Sequence, residues 1–191
     1  MQVGLFFGSF NPIHVGHMVL ANYMLSFTSL DEVWLVVSPH NPLKVKSSLL
    51  NQNDRLHLVN LALDQHPKIK SSNIEFGLSQ PSYTIHTLVH LKEKFPKYKF
   101  SLIMGQDNLQ GFNKWKNYEE ILKNYNVYVY PRPNCVASPF DDHKSVQITQ
   151  APRMDVSSTF IRKAIKEKKD VRFFMHPDVW NYIDEMNFYK K

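Results

Sequence analysis

His14 and His17 lie three residues apart, just past the stretch Gly8-Ser9-Phe10-Asn11-Pro12. On a helix that spacing sets both imidazoles on one face near the N-terminus. Gly8 follows an apolar run, Val3 to Phe7, that reads as a buried strand, and Met18 to Leu25 reads as a helix. A strand that stops on a glycine turn and feeds a helix leaves backbone N–H groups unpaired, and the helix start adds partial positive charge. Pro12 fixes the chain where a missing N–H costs little. Gly8 and Gly16 allow close approach of backbone to a ligand or a neighbouring strand. Two imidazoles beside such an anion pocket suit contact with a phosphate whose charge is growing. A second candidate is Asp155-Val156-Ser157-Ser158-Thr159-Phe160-Ile161-Arg162. Asp155 or Ser157 can cap a helix there, with Ser158 and Thr159 in the first turn and Arg162 about one turn on.

The elements that must position these groups alternate in type. Val33 to Val37 is a second continuous apolar run, and Phe100 to Met104 and Asn126 to Tyr130 are further strand candidates. Asn73-Ile74-Glu75-Phe76 reads as a short strand, and Val146-Gln147-Ile148 as the last one. Helices are expected over about 14–27, from a cap at Asn53 or Asp54 to near His66-Pro67, over 84–95, 118–123, 157–168 and 178–186. Continuous apolar strands alternating with helices predict an α/β fold, a doubly wound parallel sheet covered on both faces. In such a sheet the ligand lies at the carboxyl ends of the strands, where the marked loops fall. Asn41 to Leu49 reads as a loop carrying Lys44 and Lys46, and 134–144 as a polar stretch without assigned structure.

Composition bounds the partners. The 191 residues suffice for one domain with a well-buried core. Lys and Arg number 23 against 17 acidic residues, a formal net charge of +6. Mild basicity fits a nucleotide or a nucleic acid without choosing between them. Lysines such as Lys166, Lys168 and Lys169 account for much of the excess as solvated surface. Cys135 is the single cysteine, which excludes an intramolecular disulfide and a cysteine metal site. The N-terminal apolar run is short and lacks a basic leader, and no apolar stretch is long enough to span a bilayer. A cytoplasmic location and no membrane partner are the expectation.

The decapeptide Gly8 to His17 resembles the nucleotidyltransferase signature G-[ST]-F-[DN]-P-x-H-x-G-H, with every position matched. Residues 155–162 resemble the I-S-S-T-x-[IV]-R element of adenylyltransferases, with Val156 in the isoleucine position. Within that superfamily, the chain resembles bacterial nicotinate-nucleotide adenylyltransferases over nearly its whole length. Pro81 to Leu88 resembles their P-S-Y-T-[IVL]-x-T-L segment, Met104-Gly105-Gln106-Asp107 their [IVM]-G-x-D turn, and Phe112 to Trp115 their L-x-x-W. The tail from Phe174 to Ile183 resembles their closing helix. Lys116 is a departure, since many members carry tyrosine after the tryptophan.

The resemblance implies a Rossmann-like fold and one nucleotidyltransferase domain over 1–191, with C-terminal helices at about 157–187 completing the ATP site. It implies transfer of AMP from ATP to nicotinate mononucleotide, giving deamido-NAD and pyrophosphate, with Mg2+ carried on the ATP phosphates and no protein metal ligands. His14, His17 and Arg162 are then the catalytic candidates. Gly8, Ser9, Phe10, Asn11, Gly105, Asp107, Ser157, Ser158, Thr159 and Arg162 are candidates for binding ATP, with Arg132 as a further support. Lys44, Tyr83, Thr84 and Trp115 are candidates for the acceptor: Lys44 at a phosphate, Thr84 at the pyridine carboxylate and Trp115 stacked on the ring. No nucleic-acid partner is expected, and oligomeric state is left open. Other acceptors, such as nicotinamide mononucleotide or pantetheine phosphate, and a non-catalytic nucleotide or RNA binder, are the competing readings.

Overall fold

The computed structural model describes residues 1–39 and 49–190; Lys44 therefore lies outside the described residues. Among them, six strands form one sheet: β1 (Gln2–Gly8), β2 (Glu32–Val37), β3 (Ile69–Ser72), β4 (Lys99–Gly105), β5 (Asn126–Tyr130) and β6 (Val146–Ile148). Their order is β3-β2-β1-β4-β5-β6, and every neighbouring pair is parallel. The helices are α1 (Val15–Phe27), α2 (Gln52–Leu63), α3 (Thr84–Lys94), α4 (Gln106–Gln110), α5 (Tyr118–Asn124), α6 (Ser158–Lys166) and α7 (Pro177–Glu185).

Alternate strand residues point to opposite faces, so each continuous apolar strand feeds two cores. Val3 and Leu5 of β1 pack with Ile85, Leu88 and Leu91 of α3. Phe6 packs on the other side with Leu20 and Met24 of α1, Leu58 of α2 and Ile161 of α6. This is the doubly wound sheet that the sequence predicts. Strand order reverses at β1, which pairs with both β2 and β4. The crevice beyond the carboxyl ends of β1 and β4 is where such sheets hold ligands. Gly8 and Gly105 end those two strands. Among the described residues no helix is long and apolar enough to cross a membrane.

Two local expectations need correction. Residues 74–77 form a 3-10 turn, and the third strand is Ile69–Ser72 at the sheet edge. A strand at 73–76 would alternate Glu75 outward; instead Glu75 is 3% exposed and accepts a hydrogen bond from Thr87 Oγ1 at 2.8 Å. The α2 cap is Asn51, whose Oδ1 accepts from the Asn53 N–H at 2.9 Å, so Asn53 lies inside the first turn. Residues 134–144 are a series of turns tied to the domain: Gln110 donates to the Val136 carbonyl at 2.6 Å, and the Ser138 hydroxyl to that of Leu109 at 3.1 Å.

Arg55 is the unexpected member of the core. It lies on the inward face of α2 with Leu58, Val59 and Ala62, and is 0% exposed. Its guanidinium donates to four backbone carbonyls: Leu50 (3.0 Å), Ser9, Ser38 and Pro39 (each 2.7 Å). The loops after β1 and β2 are thereby tied to one side chain. Burial pulls its pKa below the usual arginine range, but guanidinium stays charged in proteins. Replacing Arg55 with alanine should cost about 3 kcal/mol, because buried acceptors lose a charged partner. Urea unfolding checks this through a lowered midpoint at an unchanged slope.

Candidate active site

The turn after β1 is built around a ring. Phe10 has φ 44, in the left-handed region that a bulky residue seldom occupies, and its side chain is 1% exposed. A Cβ at position 8 would meet the Phe10 ring at 2.8 Å, so Gly8 is required by the fold of the turn itself. Asn11 and Pro12, joined by a cis peptide, are also buried. The chain then enters α1 with His14 as its N-cap.

The two imidazoles that the spacing placed on one face are stacked, with ring centroids 3.8 Å apart and planes 29° apart. Gly16 makes room for this, since a Cβ there would lie 3.1 Å from His14 Nδ1. His17 Nδ1 accepts from the His14 backbone N–H at 3.3 Å. An accepting Nδ1 assigns the ring proton to Nε2, leaving that edge a donor. His17 is further flanked edge-on by Phe6 and Phe10. His14 is 6% exposed, and its pKa falls from 6.5 to about 4, chiefly through burial and secondarily through the positive Arg132. His14 is therefore a neutral ring at physiological pH, not a standing cation. Among the described residues its buried Nδ1 has no hydrogen-bond partner, and neither has Arg132 Nε.

The start of α6 docks directly on this turn. The Ser158 hydroxyl donates to the Pro12 carbonyl at 2.9 Å, and Arg162 Nη1 to the Asn11 carbonyl at 2.8 Å. Arg162 Nη2 reaches Thr159 Oγ1 at 3.3 Å. Ser157 caps the helix, accepting from the Phe160 N–H at 3.2 Å. The first N–H groups of α1 and α6 have no intrahelical acceptor. Neither helix has an acidic residue in its first turn. Two anion-ready helix starts thus share one crevice. The Ser158 hydroxyl proton thus holds the helix to the turn.

Asp107 and Arg132 line the β4 and β5 side. Arg132 Nε lies 3.7 Å from Asp107 Oδ1, and its guanidinium carbon lies 5.2 Å from the Tyr130 ring centre. A side chain at Gly105 would collide with the Asp107 carboxylate. Trp115 is half-buried, its ring 5.0 Å from that of Phe112. Tyr83 is the N-cap of α3, which begins at Thr84. Lys116 bridges the two segments, with Nζ 4.7 Å from the Tyr83 ring centre.

Sequence reasoning missed Arg55, Glu75 and Tyr189. Tyr189 donates to Asn11 Oδ1 at 2.7 Å, and burial raises its phenol pKa. For Arg55 a signal existed: positions 55, 58, 59 and 62 recur at helical spacing on one face. Tyr189 and Glu75 had none, because their partners are distant in sequence.

The fold and the paired helix starts define a nucleotidyltransferase, and the cytidylyltransferase-like family model matches residues 5–164. Proteins named probable nicotinate-nucleotide adenylyltransferase are similar over full length. The one from Flavobacterium psychrophilum is 56% identical, covering 100% of both chains. That from Bacteroides thetaiotaomicron is 46% identical over 97% of this chain and 92% of its own. The chain belongs to the nicotinate-nucleotide adenylyltransferase family. The fold is also that of Plasmodium falciparum nicotinic acid mononucleotide adenylyltransferase complexed with NaAD, at TM-score 0.83, 19% identity and coverage of 99% of this chain and 97% of that one.

The buried neutral His14 makes folding acid-sensitive. An unfolded chain takes up that proton near pH 6.5, whereas the native ring resists it to about pH 4. Between those values the unfolded state holds more protons, so stability falls as pH falls. From pH 7 to pH 5 the loss should be about 2 kcal/mol. Glu75, whose carboxyl is raised by burial, acts in the opposite sense. Urea unfolding of wild type beside His14→Asn isolates the histidine: the stability difference between the two should shift by that amount between pH 7 and pH 5.

Proposed function

We propose that this chain transfers AMP from ATP to nicotinate mononucleotide, releasing pyrophosphate and giving deamido-NAD. One observation carries the reading: the hydrogen bonds of Ser158 and Arg162 to the Pro12 and Asn11 carbonyls put the α6 start beside the histidine turn. A triphosphate spans such a pair of sites.

The acceptor phosphate is ionised at neutral pH, so no general base is required. An acceptor oxygen attacks the α-phosphorus in line, and the bond to the bridging β oxygen breaks. His17 Nε2–H donates to an α-phosphate oxygen and stabilises the charge that gathers there. His14, neutral and stacked behind it, keeps that ring in place and offers its own edge to the phosphates. Arg162, Thr159 and the free N–H groups of α6 hold the leaving pyrophosphate. Gly8, Ser9, Phe10 and Asn11 shape the ATP side of the crevice, and Gly105 and Asp107, with Arg132, border the nucleoside.

On the acceptor side, Thr84 meets the pyridine carboxylate at the start of α3 and Trp115 stacks on the ring; Lys44, outside the described residues, is assigned to a phosphate on the sequence resemblance alone. Magnesium would be carried on the triphosphate, where it would screen phosphate charge; the imidazoles, guanidinium and hydroxyls here suit phosphate oxygens better than a cation. Residues 1–191 act as one nucleotidyltransferase domain.

Incubation with ATP and nicotinate mononucleotide tests the reaction through stoichiometric pyrophosphate and dinucleotide. A chain that releases no pyrophosphate under those conditions overturns the proposal. Replacing His17 with alanine should lower kcat by roughly 10²-fold or more, while the dissociation constant for ATP changes little, as for loss of an oxyanion donor.

A further inference from the structure

Lys116 follows Trp115, and its ammonium sits over the ring of Tyr83. Tyr83 caps α3 with extended backbone and makes no side-chain capping bond. The N–H groups of Thr84 and Ile85 therefore lack an intrahelical acceptor. The first turn of α3 holds no acidic residue. Glu75 is buried and accepts from the Thr87 hydroxyl, with the Ser38 and Ser82 hydroxyls also beside it. The acids that follow Lys116 are engaged elsewhere: Glu119 accepts from the Tyr118 hydroxyl at 3.3 Å, and Glu120 lies 4.0 Å from Lys123.

Among the described residues Lys116 has no ion-pair partner. A cation–π contact thus holds an uncompensated positive charge beside a helix start that itself favours an anion. The residue before it, Trp115, carries a half-buried indole.

We propose that Lys116 is a specificity-determining residue that selects a pyridine mononucleotide bearing a ring carboxylate over one bearing a carboxamide. The proposal rests on the adenylyl-transfer reading above and deepens it. An ammonium donates a hydrogen bond to either group, but only the carboxylate also returns Coulomb attraction. Tyr83 is the positioning partner: its ring fixes the flexible lysine stem, so less side-chain freedom is lost when the substrate arrives.

The test compares wild type, Lys116→Gln and Lys116→Arg with saturating ATP and either nicotinate mononucleotide or nicotinamide mononucleotide. Lys116→Gln should raise KM for the acid roughly tenfold, the scale of one charged hydrogen bond. It should leave kcat, the KM for ATP and the KM for the amide within about twofold, and Lys116→Arg should restore the preference for the acid. An equal loss on acid and amide, or an unchanged KM for the acid, overturns the inference and leaves the reaction standing. Wild type that adenylylates neither mononucleotide overturns the reaction itself.

Discussion

The carbonyl oxygens of Asn11 and Pro12 accept hydrogen bonds from residues near the other end of the chain, and the geometry of the crevice depends on it. Without those bonds α6 would be one more helix on the sheet, and the Ser-Thr tip would face no histidine. The bond from Arg162 is charge-assisted and correspondingly strong. The Asn11 side chain draws in two further segments, accepting from the Tyr189 hydroxyl and from the Leu50 N–H at 3.2 Å. A single buried turn near the start of the chain is therefore clamped by Leu50 and Arg55, by Ser158 and Arg162, and by Tyr189. Donors fixed in this way need little reorganisation when charge develops near them.

Charge at the helix starts follows the same division of labour. An acidic residue occupies the first turn of α2, α4, α5 and α7. None occupies that of α1, α3 or α6. An acid there would stabilise a helix by about 0.3–1 kcal/mol and would also neutralise its pull on an external anion. The three helices that forgo it carry the histidine pair, Thr84 and the Ser-Thr tip. Their stability comes from burial instead, through residues such as Leu20, Leu88 and Ile161.

Much of this was legible in the sequence, for local reasons. Gly8, the histidine spacing and the Ser157 cap are short-range features, and short-range sterics and hydrogen bonds set them. The parallel sheet was legible because β1 and β2 are apolar on both faces. β3 was not, since Ile69-Lys70-Ser71-Ser72 lies at an edge and needs little apolar surface. The 74–77 turn was misread because Ile74 and Phe76 bracket a charged residue as a half-buried strand would, whereas Thr87 draws Glu75 inward. That His14 is neutral could not be read either, because desolvation depends on what the whole fold packs around the ring.

Arg55 has a mechanical consequence. One planar group grips the backbone at Ser9, Ser38, Pro39 and Leu50. A shift of the turn after β1 therefore strains the same fork that anchors the chain leaving β2, so neither can drift alone. The two sides of the crevice behave as parts of a common frame.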